Sequence, residues 1–455
     1  MSVEATTDTP VLQAGAPQTA VEGGLRTFAV VAGGQFVSIM GSALTAFAMG
    51  IWVYQQTGSV TSLSLIILAA SLPGILVSPL AGSFVDRSDR RRVMLVSAGA
   101  ACLAELATAG LILSGRASLA SFFVLAAVIS LADAFQEPAY MASVPLLVPK
   151  RYLGQASGFV QFSQGIARIV TPALAGVMLE TVGIGVVLLA DMATFLVAAT
   201  TLLCVRIPRP APWAEGDPQQ KSLWREAAIG WNYLRDRSGL MALLLLFAMV
   251  NFLVALVNVL YIPLVLSFSS ARVLGVTFTI GGTGMLAGSI AVMALGVPRR
   301  KIRAIMGLIC LGSLAIGALG VRPWAALIAG SGFAMMFVLP LLQATSQVLW
   351  QTKVALAVQG RVLALRKMLA QASLPAAYLL AGPLADAVFE PLLREGGPLA
   401  SSVGLLIGVG PGRGIGLTFV TIGFLGCFLA ALGYAYPRTR RLEQELPDMI
   451  ADTTT

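Results

Sequence analysis

The sequence of 455 residues contains no histidine and few charged residues. The first absence excludes histidine metal sites, Ser-His-Asp and Cys-His catalytic groups and imidazole proton relays, so any proton chemistry must use carboxylates. Charged residues make up 11% of the chain, whereas about 25% is typical of a soluble domain. Because 57% of the residues are apolar, the composition predicts a protein embedded in a lipid bilayer.

Patterns that would hold a disulfide, a metal or a nucleotide are also lacking. The four cysteines lie singly inside apolar segments, without a CxxC pair. The glycine-rich segment 408–416 has neither the spacing nor the Lys-Ser/Thr ending of a phosphate-binding loop, so we interpret it as an extracellular turn. For these reasons no cofactor or metal is predicted. No nucleic-acid partner is predicted either, because basic cytoplasmic loops alone account for a net charge of +9 in a membrane protein.

Long apolar runs recur along the chain, each long enough to cross a bilayer as a helix. They are apolar on every face, which excludes the alternating pattern of a transmembrane barrel. Residues 1–26 lack the basic start of a signal peptide and are predicted to form a disordered cytoplasmic tail. The twelve predicted spans are 27–54, 61–85, 93–113, 119–141, 154–179, 183–205, 239–266, 272–297, 304–321, 324–350, 362–389 and 415–436.

The distribution of Lys and Arg predicts the orientation of these spans. With the amino terminus inside, 24 of the 30 basic residues lie in cytoplasmic loops and tails or, as Arg366 and Lys367 do, at the cytoplasmic start of a span. Five lie in outer loops or at the outer end of a span, and only Arg168 lies well within a span. Such a bias predicts that both termini are cytoplasmic. The longest inner connection divides the spans six and six. The predicted segments are therefore a first six-helix half at 27–205, a linker with an amphipathic helix at 206–238, a second half at 239–436 and a cytoplasmic tail at 437–455.

The loop after the second span reads Gly-Ser-Phe-Val-Asp-Arg-Ser-Asp-Arg-Arg-Arg from position 82 to 92. It resembles the signature that the major facilitator superfamily carries between its second and third helices, although Asp89 stands where the family usually has Gly. The resemblance implies an all-α membrane protein with twelve transmembrane helices in two six-helix halves. It also implies that Asp86 contacts the cytoplasmic end of a second-half helix and stabilises one end state of the transport cycle. The residues of this gating motif are Gly82, Asp86, Arg87, Arg90 and Arg91.

Four further stretches narrow the resemblance. Residues 137–139, 144–149, 168–176 and 360–362 are similar to the macrolide-exporter branch of the drug:proton antiporters, although Thr171 stands where that branch commonly has Gly. The run from Gly382 to Pro437 also resembles exporters often associated with bacterial peptide and polyketide natural products. The resemblance implies export of a drug-sized compound by proton antiport, across the inner membrane of a bacterial cell.

Charged residues inside the spans are the candidates for proton coupling, since each costs about 2.5 to 3.5 kcal/mol at a helix centre and usually faces a cavity. Asp133 and Glu137 lie one turn apart in span four. We predict that at least one of them carries the coupled proton and that Arg168 restrains or releases it. The alternative is a structural ion pair between spans four and five. The lone carboxylates Glu105 and Asp191 are the next candidates, with a buried helix contact as their alternative.

Uncharged polar residues recur at helical spacing in spans one, five, seven and ten, and aromatic residues on some of the same spans add apolar contact area. Polar residues aligned on one face of a helix predict a water-accessible pathway through the protein for a bulky, partly apolar ligand. Hydrogen bonding between helices would also explain them. The predicted substrate-pathway residues are Gln35, Ser38, Ser42, Gln161, Gln164, Asn251, Asn258, Gln343 and Gln347.

These features predict a secondary transporter for an amphipathic drug-like or natural-product compound. The resemblance implies that it exports this compound by proton antiport. A proton-coupled nutrient symporter is the alternative, because direction is not written in the residues. A membrane-embedded enzyme is disfavoured, since the chain has neither histidine nor a clustered acidic motif. The predicted partners are the small-molecule substrate, protons and the lipid bilayer, and the predicted oligomeric state is a monomer.

Overall fold

The computed structural model describes residues 24–116, 118–148, 152–205 and 231–446. Within these residues, twelve helices are long and apolar enough to cross a membrane, which confirms the predicted fold class. The spanning helices are α1 Gly24–Thr57, α2 Val60–Arg87, α3 Arg90–Leu113, α4 Leu119–Leu147, α5 Leu153–Thr181, α6 Gly183–Cys204, α7 Ser238–Leu266, α8 Ala271–Leu295, α9 Lys301–Val321, α10 Ala325–Lys353, α11 Leu356–Pro383 and α12 Arg413–Ala435. Most of the predicted linker, residues 206–230, lies outside the described residues.

Side-chain caps set the starts of several helices. Ser59 caps α2, Ser118 caps α4 and Ser270 caps α8, each by accepting a bond from a backbone N–H of the first turn. Hydropathy marks only the apolar stretch that spans the bilayer, whereas the helical hydrogen bonding continues beyond it. For this reason α4 ends at Leu147 rather than near residue 141.

Helix α11 departs from the regular span that the sequence predicts. Pro383 ends its α-helical part, and the chain continues as a π-helical turn at Leu384–Phe389 and a short helix at Glu390–Leu392. Proline lacks a backbone N–H, so the ladder of hydrogen bonds is interrupted at this point and the following turn widens. The widened turn carries Asp386.

The two halves repeat the same helix pairings. In the first half, α2 packs on α4, α3 on both α4 and α6, and α1 on both α5 and α6. The second half repeats the pattern, with α8 on α10, α9 on both α10 and α12, and α7 on both α11 and α12. Each helix thus has its counterpart six helices later, which is the arrangement of a parallel repeat.

The halves meet at one side of the membrane. We call the side where α1 begins and α12 ends the terminal face, and the opposite side the far face. At the far face α5 packs tightly on α8, because a Cβ at Gly275 would collide with the Pro172 carbonyl oxygen and a Cβ at Gly176 would meet the Ala271 backbone. Phe47 of α1 also packs edge-on against Phe278 of α8, with ring centroids 5.0 Å apart. These contacts hold the far face closed.

The start of the carboxyl-terminal tail is packed against the second half. Short helices at Pro437–Arg440 and Leu442–Glu445 follow α12. The Lys353 ammonium, only 4% exposed, donates to the carbonyl oxygens of Glu443, at 2.8 Å, and of Leu446. The backbone N–H of Lys301 donates to the Glu443 carboxylate at 2.8 Å. Residues 437–446 therefore cover the terminal-face ends of α9 and α10.

Candidate functional site

A buried pair of carboxyl groups lies inside the first half. Glu105 of α3 is 2% exposed and Asp191 of α6 is fully buried, and the two side chains lie within hydrogen-bonding reach of each other. Thr194 Oγ1 donates to Asp191 Oδ1 at 2.9 Å. Two carboxylates in contact and out of water cannot both carry a negative charge, so the pair holds at least one proton.

The packing of α1 explains why the pair is sealed from solvent. A Cβ at Gly41 would collide with Asp191 Oδ1 and Thr194 Oγ1, so glycine is needed for α1 to lie this close to α6. Among the described residues, Glu105 Oε2 and Asp191 Oδ2 have no hydrogen-bond donor. A proton shared between the two carboxyl groups would supply the missing donor. The sequence prediction named both residues, but only as separate carboxylates.

Two further carboxylates lead from this pair towards the terminal face. Asp133 of α4 interacts electrostatically with Asp191 and with Glu137, and the side chains of Asp133 and Glu137 are both exposed. Glu137 lies one turn nearer to the terminal face than Asp133. The four carboxyl groups thus form a series from a sealed site to an accessible one.

Arg168 does not pair with this series. Its side chain is exposed on α5, and among the described residues no ion pair within 4.0 Å joins it to Asp133 or Glu137. Helix α4, which carries Asp133 and Glu137, makes few contacts with helix α5, which carries Arg168. The structure therefore does not bring together the ion pair that was the structural alternative, and a role for Arg168 in proton coupling stays a prediction.

The basic loop between α2 and α3 ties helices of the first half together. Asp89, which stands where the family usually has Gly, caps α3 by accepting hydrogen bonds from the backbone N–H groups of Arg91 and Arg92. The Arg90 guanidinium donates to the Ala142 carbonyl at 2.6 Å. The guanidinium of Arg91 donates to the carbonyl oxygens of Leu202 and Leu203, both at 2.7 Å. These arginines bind α4 and α6 at the terminal face.

The rest of the gating motif is described in less detail. Gly82 is half-buried in α2, and among the described residues other than its chain neighbours no atom lies within 4 Å of the position its Cβ would take. The side chains of Asp86 and Arg87 lie outside the described part of the structure. The contact of Asp86 with a second-half helix therefore stays a prediction.

A cavity of about 630 Å³ lies in the second half, on the terminal side of the membrane. Its walls come from the parts of α7 and α10 nearer the terminal face and from one residue of α11. The polar residues that line it are Asn251, Gln343, Gln347 and Arg366. Three of the predicted pathway residues thus meet in one cavity, whereas the fourth second-half residue, Asn258, is exposed on α7 and is not part of its lining.

The predicted pathway residues of the first half are dispersed. Gln35 is 3% exposed and accepts a hydrogen bond from the Gln136 amide at 3.3 Å, which links α1 to α4. Ser38 is buried, Ser42 and Gln164 are half-buried, and the Gln161 side chain lies outside the described part of the structure. Gln35 therefore makes the interhelical hydrogen bond that was the alternative interpretation of the polar stripes.

Sequence reasoning missed two carboxylates that bridge the halves at the far face. Asp386, in the widened turn after α11, accepts bonds from the Thr61 N–H at 2.9 Å and the Thr61 hydroxyl at 2.8 Å, at the start of α2. Glu180, near the end of α5, accepts the Arg272 N–H at 2.8 Å, at the start of α8. Each half thus caps a helix of the other half.

The two caps are also related by the internal repeat. Helix α11 is the counterpart of α5, and α8 is the counterpart of α2, so the same contact occurs twice with the halves exchanged. The signal in the sequence was a single carboxylate in the apolar run 381–389 and another at the end of span five.

This architecture, two related six-helix halves with polar sites inside each, is that of a membrane transporter. The sequence profile of the Major Facilitator Superfamily matches residues 31–378, and the chain belongs to that superfamily. It is a multi-pass transporter and not an enzyme.

Known relatives include efflux pumps, in agreement with the predicted resemblance. Macrolide efflux protein A of Streptococcus pyogenes is 28% identical over 377 residues, which cover 79% of this chain and 90% of that protein. Multidrug efflux pump Tap of Mycobacterium tuberculosis is 29% identical over 364 residues, which cover 76% of this chain and 84% of that pump.

A solved structure shares the fold. The bacterial homologue of the human lysosomal transporter Spinster, in its inward-facing and unoccupied conformation, superposes with a TM-score of 0.68 over 93% of this chain and 98% of that chain. The two sequences are 13% identical, so this match concerns the fold alone.

Proposed function

We propose that the protein exports an amphipathic drug-like or natural-product compound by proton antiport, with alternating access of a central site to the two sides of the membrane. The terminal face is the cytoplasmic one, as the distribution of basic residues predicts. The relatives named as macrolide and multidrug efflux pumps support the direction of transport.

The observation that carries the proposal is the buried contact between Glu105 and Asp191. In a chain without histidine, a proton shared between two carboxyl groups is the available device for binding and releasing one proton. Asp133 and Glu137 provide a route for that proton towards the cytoplasm. One proton moving down about 100 mV supplies about 2.3 kcal/mol, enough for a substrate gradient of some fortyfold.

The substrate is taken up from the cytoplasmic side while the far face is closed. The cavity formed by α7, α10 and α11 lies on that side and combines apolar walls with amide groups, which suits a partly apolar compound. The contacts of Asp386 and Glu180 must then break for release at the far face. Asp86, at the cytoplasmic end of α2, would stabilise the opposite, outward-open state.

Export is tested in a bacterial host that lacks its own exporters. Expression of the protein is expected to lower the accumulation of at least one macrolide-like, peptide-like or dye compound, and a protonophore should abolish the effect. A host that carries the empty vector is the control. Unchanged accumulation across the panel, together with proton-coupled uptake of a sugar or amino acid, would favour the symporter instead.

The orientation makes a separate prediction. In a variant without the four native cysteines, a cysteine at position 398 should react with a membrane-impermeant maleimide in intact cells, because residue 398 lies in the connection between α11 and α12. A cysteine at position 217, in the predicted cytoplasmic linker, should react only after the membrane is permeabilised. Labelling of position 217 in intact cells would contradict the assignment of the faces.

A further inference from the structure

Arg366 gives the cavity of the second half a fixed positive charge. Its guanidinium donates to Ser346 Oγ at 2.9 Å and to Gln347 Oε1 at 3.3 Å, both of which are neutral acceptors. Among the described residues no carboxylate lies within 4.0 Å of it. The described protein groups therefore hold the Arg366 guanidinium in place by hydrogen bonds but do not neutralise its positive charge.

Two aromatic rings hold this guanidinium in place. Its carbon lies 5.4 Å from the centre of the Trp350 ring and 5.7 Å from that of Phe247. Trp350 is fully buried, so its ring is a rigid support, and such cation–π contacts fix a cation without removing its charge. A guanidinium has five N–H donors, so the two bonds to neutral acceptors leave donors for a ligand.

The remainder of the cavity is apolar or neutral. The apolar lining residues include Phe247, Val250 and Val254 of α7 and Leu339 and Leu342 of α10. The amides of Asn251, Gln343 and Gln347 complete the lining, and none of the described lining residues is acidic. At about 630 Å³ the volume suits a drug-sized molecule. The cavity thus offers one cation in its lining and apolar walls beside it.

We propose that this cavity binds the acidic group of an amphipathic organic acid, with Arg366 as the residue that selects it and the walls of α7 and α10 receiving the apolar body. The inference rests on the proposed function, since it names the charge of the exported compound. A bidentate, charge-assisted pair of hydrogen bonds from the Arg366 guanidinium to a carboxylate is the strongest contact that this cavity can make. A compound with a single ammonium group would meet the guanidinium without an acidic residue to offset the repulsion.

The test uses three fluorescent ligands that share one apolar body: pyrenebutyrate, its methyl ester and pyrenebutylamine. Their equilibrium binding to the purified protein in phosphatidylcholine nanodiscs is measured by fluorescence anisotropy, with empty nanodiscs subtracted. We expect the carboxylate to bind about tenfold more tightly than the ester and the amine to bind most weakly. Equal or tighter binding of the amine, or binding of none of the three, overturns the proposal.

Variants assign the preference to the arginine. Arg366→Gln should reduce the carboxylate-to-ester ratio to about one, and Arg366→Lys should retain part of it because the charge remains but the planar fork is lost. Arg303→Gln, which removes an exposed arginine at the same face of the membrane, is the matched control and should bind like the wild type. An unchanged ratio in a well-folded Arg366→Gln protein overturns the role of Arg366.

A lipid phosphate could present the same chemistry as a carboxylate. Nanodiscs that contain phosphatidylglycerol separate the two sources: if this lipid displaces pyrenebutyrate, the site holds a headgroup and the proposal of an exported acid fails. The binding assay needs no proton gradient, so its outcome is independent of the export test. Export without a preference for the acid would leave the proposed function intact and refute this inference alone.

Discussion

Replacing Glu105 by Gln and Asp191 by Asn in one protein is expected to abolish export driven by a proton gradient. The amides keep the size of the carboxyl groups and part of their hydrogen bonding, but they cannot bind or release a proton. In proteoliposomes with a gradient of one pH unit, each coupled proton can sustain about a tenfold substrate gradient. The wild-type protein should approach this value, whereas the double variant should only equilibrate the compound that the export assay identifies.

Exchange of labelled for unlabelled substrate without a gradient distinguishes loss of coupling from loss of folding. The double variant should still exchange substrate, because the pair lies in the first half and the cavity in the second. Glu445→Gln is the matched control, since Glu445 is exposed in the tail. If the double variant retained the gradient while Asp133→Asn with Glu137→Gln lost it, the accessible carboxylates of α4 would be the proton carriers.

Removing both carboxylates that cap a helix of the opposite half is expected to open the far face. Each cap satisfies backbone N–H groups at a positive helix end, and replacing such a residue by Ala costs about 1 kcal/mol. Glu180→Ala combined with Asp386→Ala should therefore cost the closed state about 2 kcal/mol, a shift of roughly thirtyfold towards the open state. The far-face contacts between α5 and α8 remain, so the shift is partial.

Spin labels report this opening. In a variant without native cysteines, labels at positions 56 and 395, exposed near the far face in the first and second halves, give the distance between the halves by double electron–electron resonance. The variant with Glu180→Ala and Asp386→Ala should gain a population with a longer distance between the two labels. Ser118→Ala is the control, because Ser118 caps α4 within its own half. An unchanged distance distribution would mean that these caps do not hold the far face closed.

The spanning helices could be predicted because their signal is local. A run of apolar residues has to form a helix in lipid, where unpaired backbone groups are costly, and this requirement alone locates all twelve spans. The widened turn after Pro383 was not predicted, since the apolar run continues through it to Phe389. The Asp at position 89 departs from the family pattern, yet it starts a helix for the same local reason as any N-cap residue.

The candidate sites were only partly predicted. Asn251, Gln343 and Gln347 were identified as polar residues in apolar helices, and the structure gathers them in one cavity. Arg366 was counted among the basic residues at the cytoplasmic ends of spans, because its position in the sequence is also what the positive-inside rule predicts. The aromatic partners that fix its side chain belong to α7 and α10, and no sequence spacing connects them to α11.

The sequence by itself determined the number of spans, the superfamily and the need for carboxylates in any proton chemistry, since these follow from composition, local hydropathy and a contiguous motif. Only the tertiary structure decided that Glu105 meets Asp191, that Arg366 faces a cavity and that each half caps a helix of the other. Helical periodicity shows which residues share a face of one helix. Which faces of distant helices meet depends on packing between side chains far apart in the chain, and in a membrane that packing relies on shape and small residues rather than on hydrophobicity.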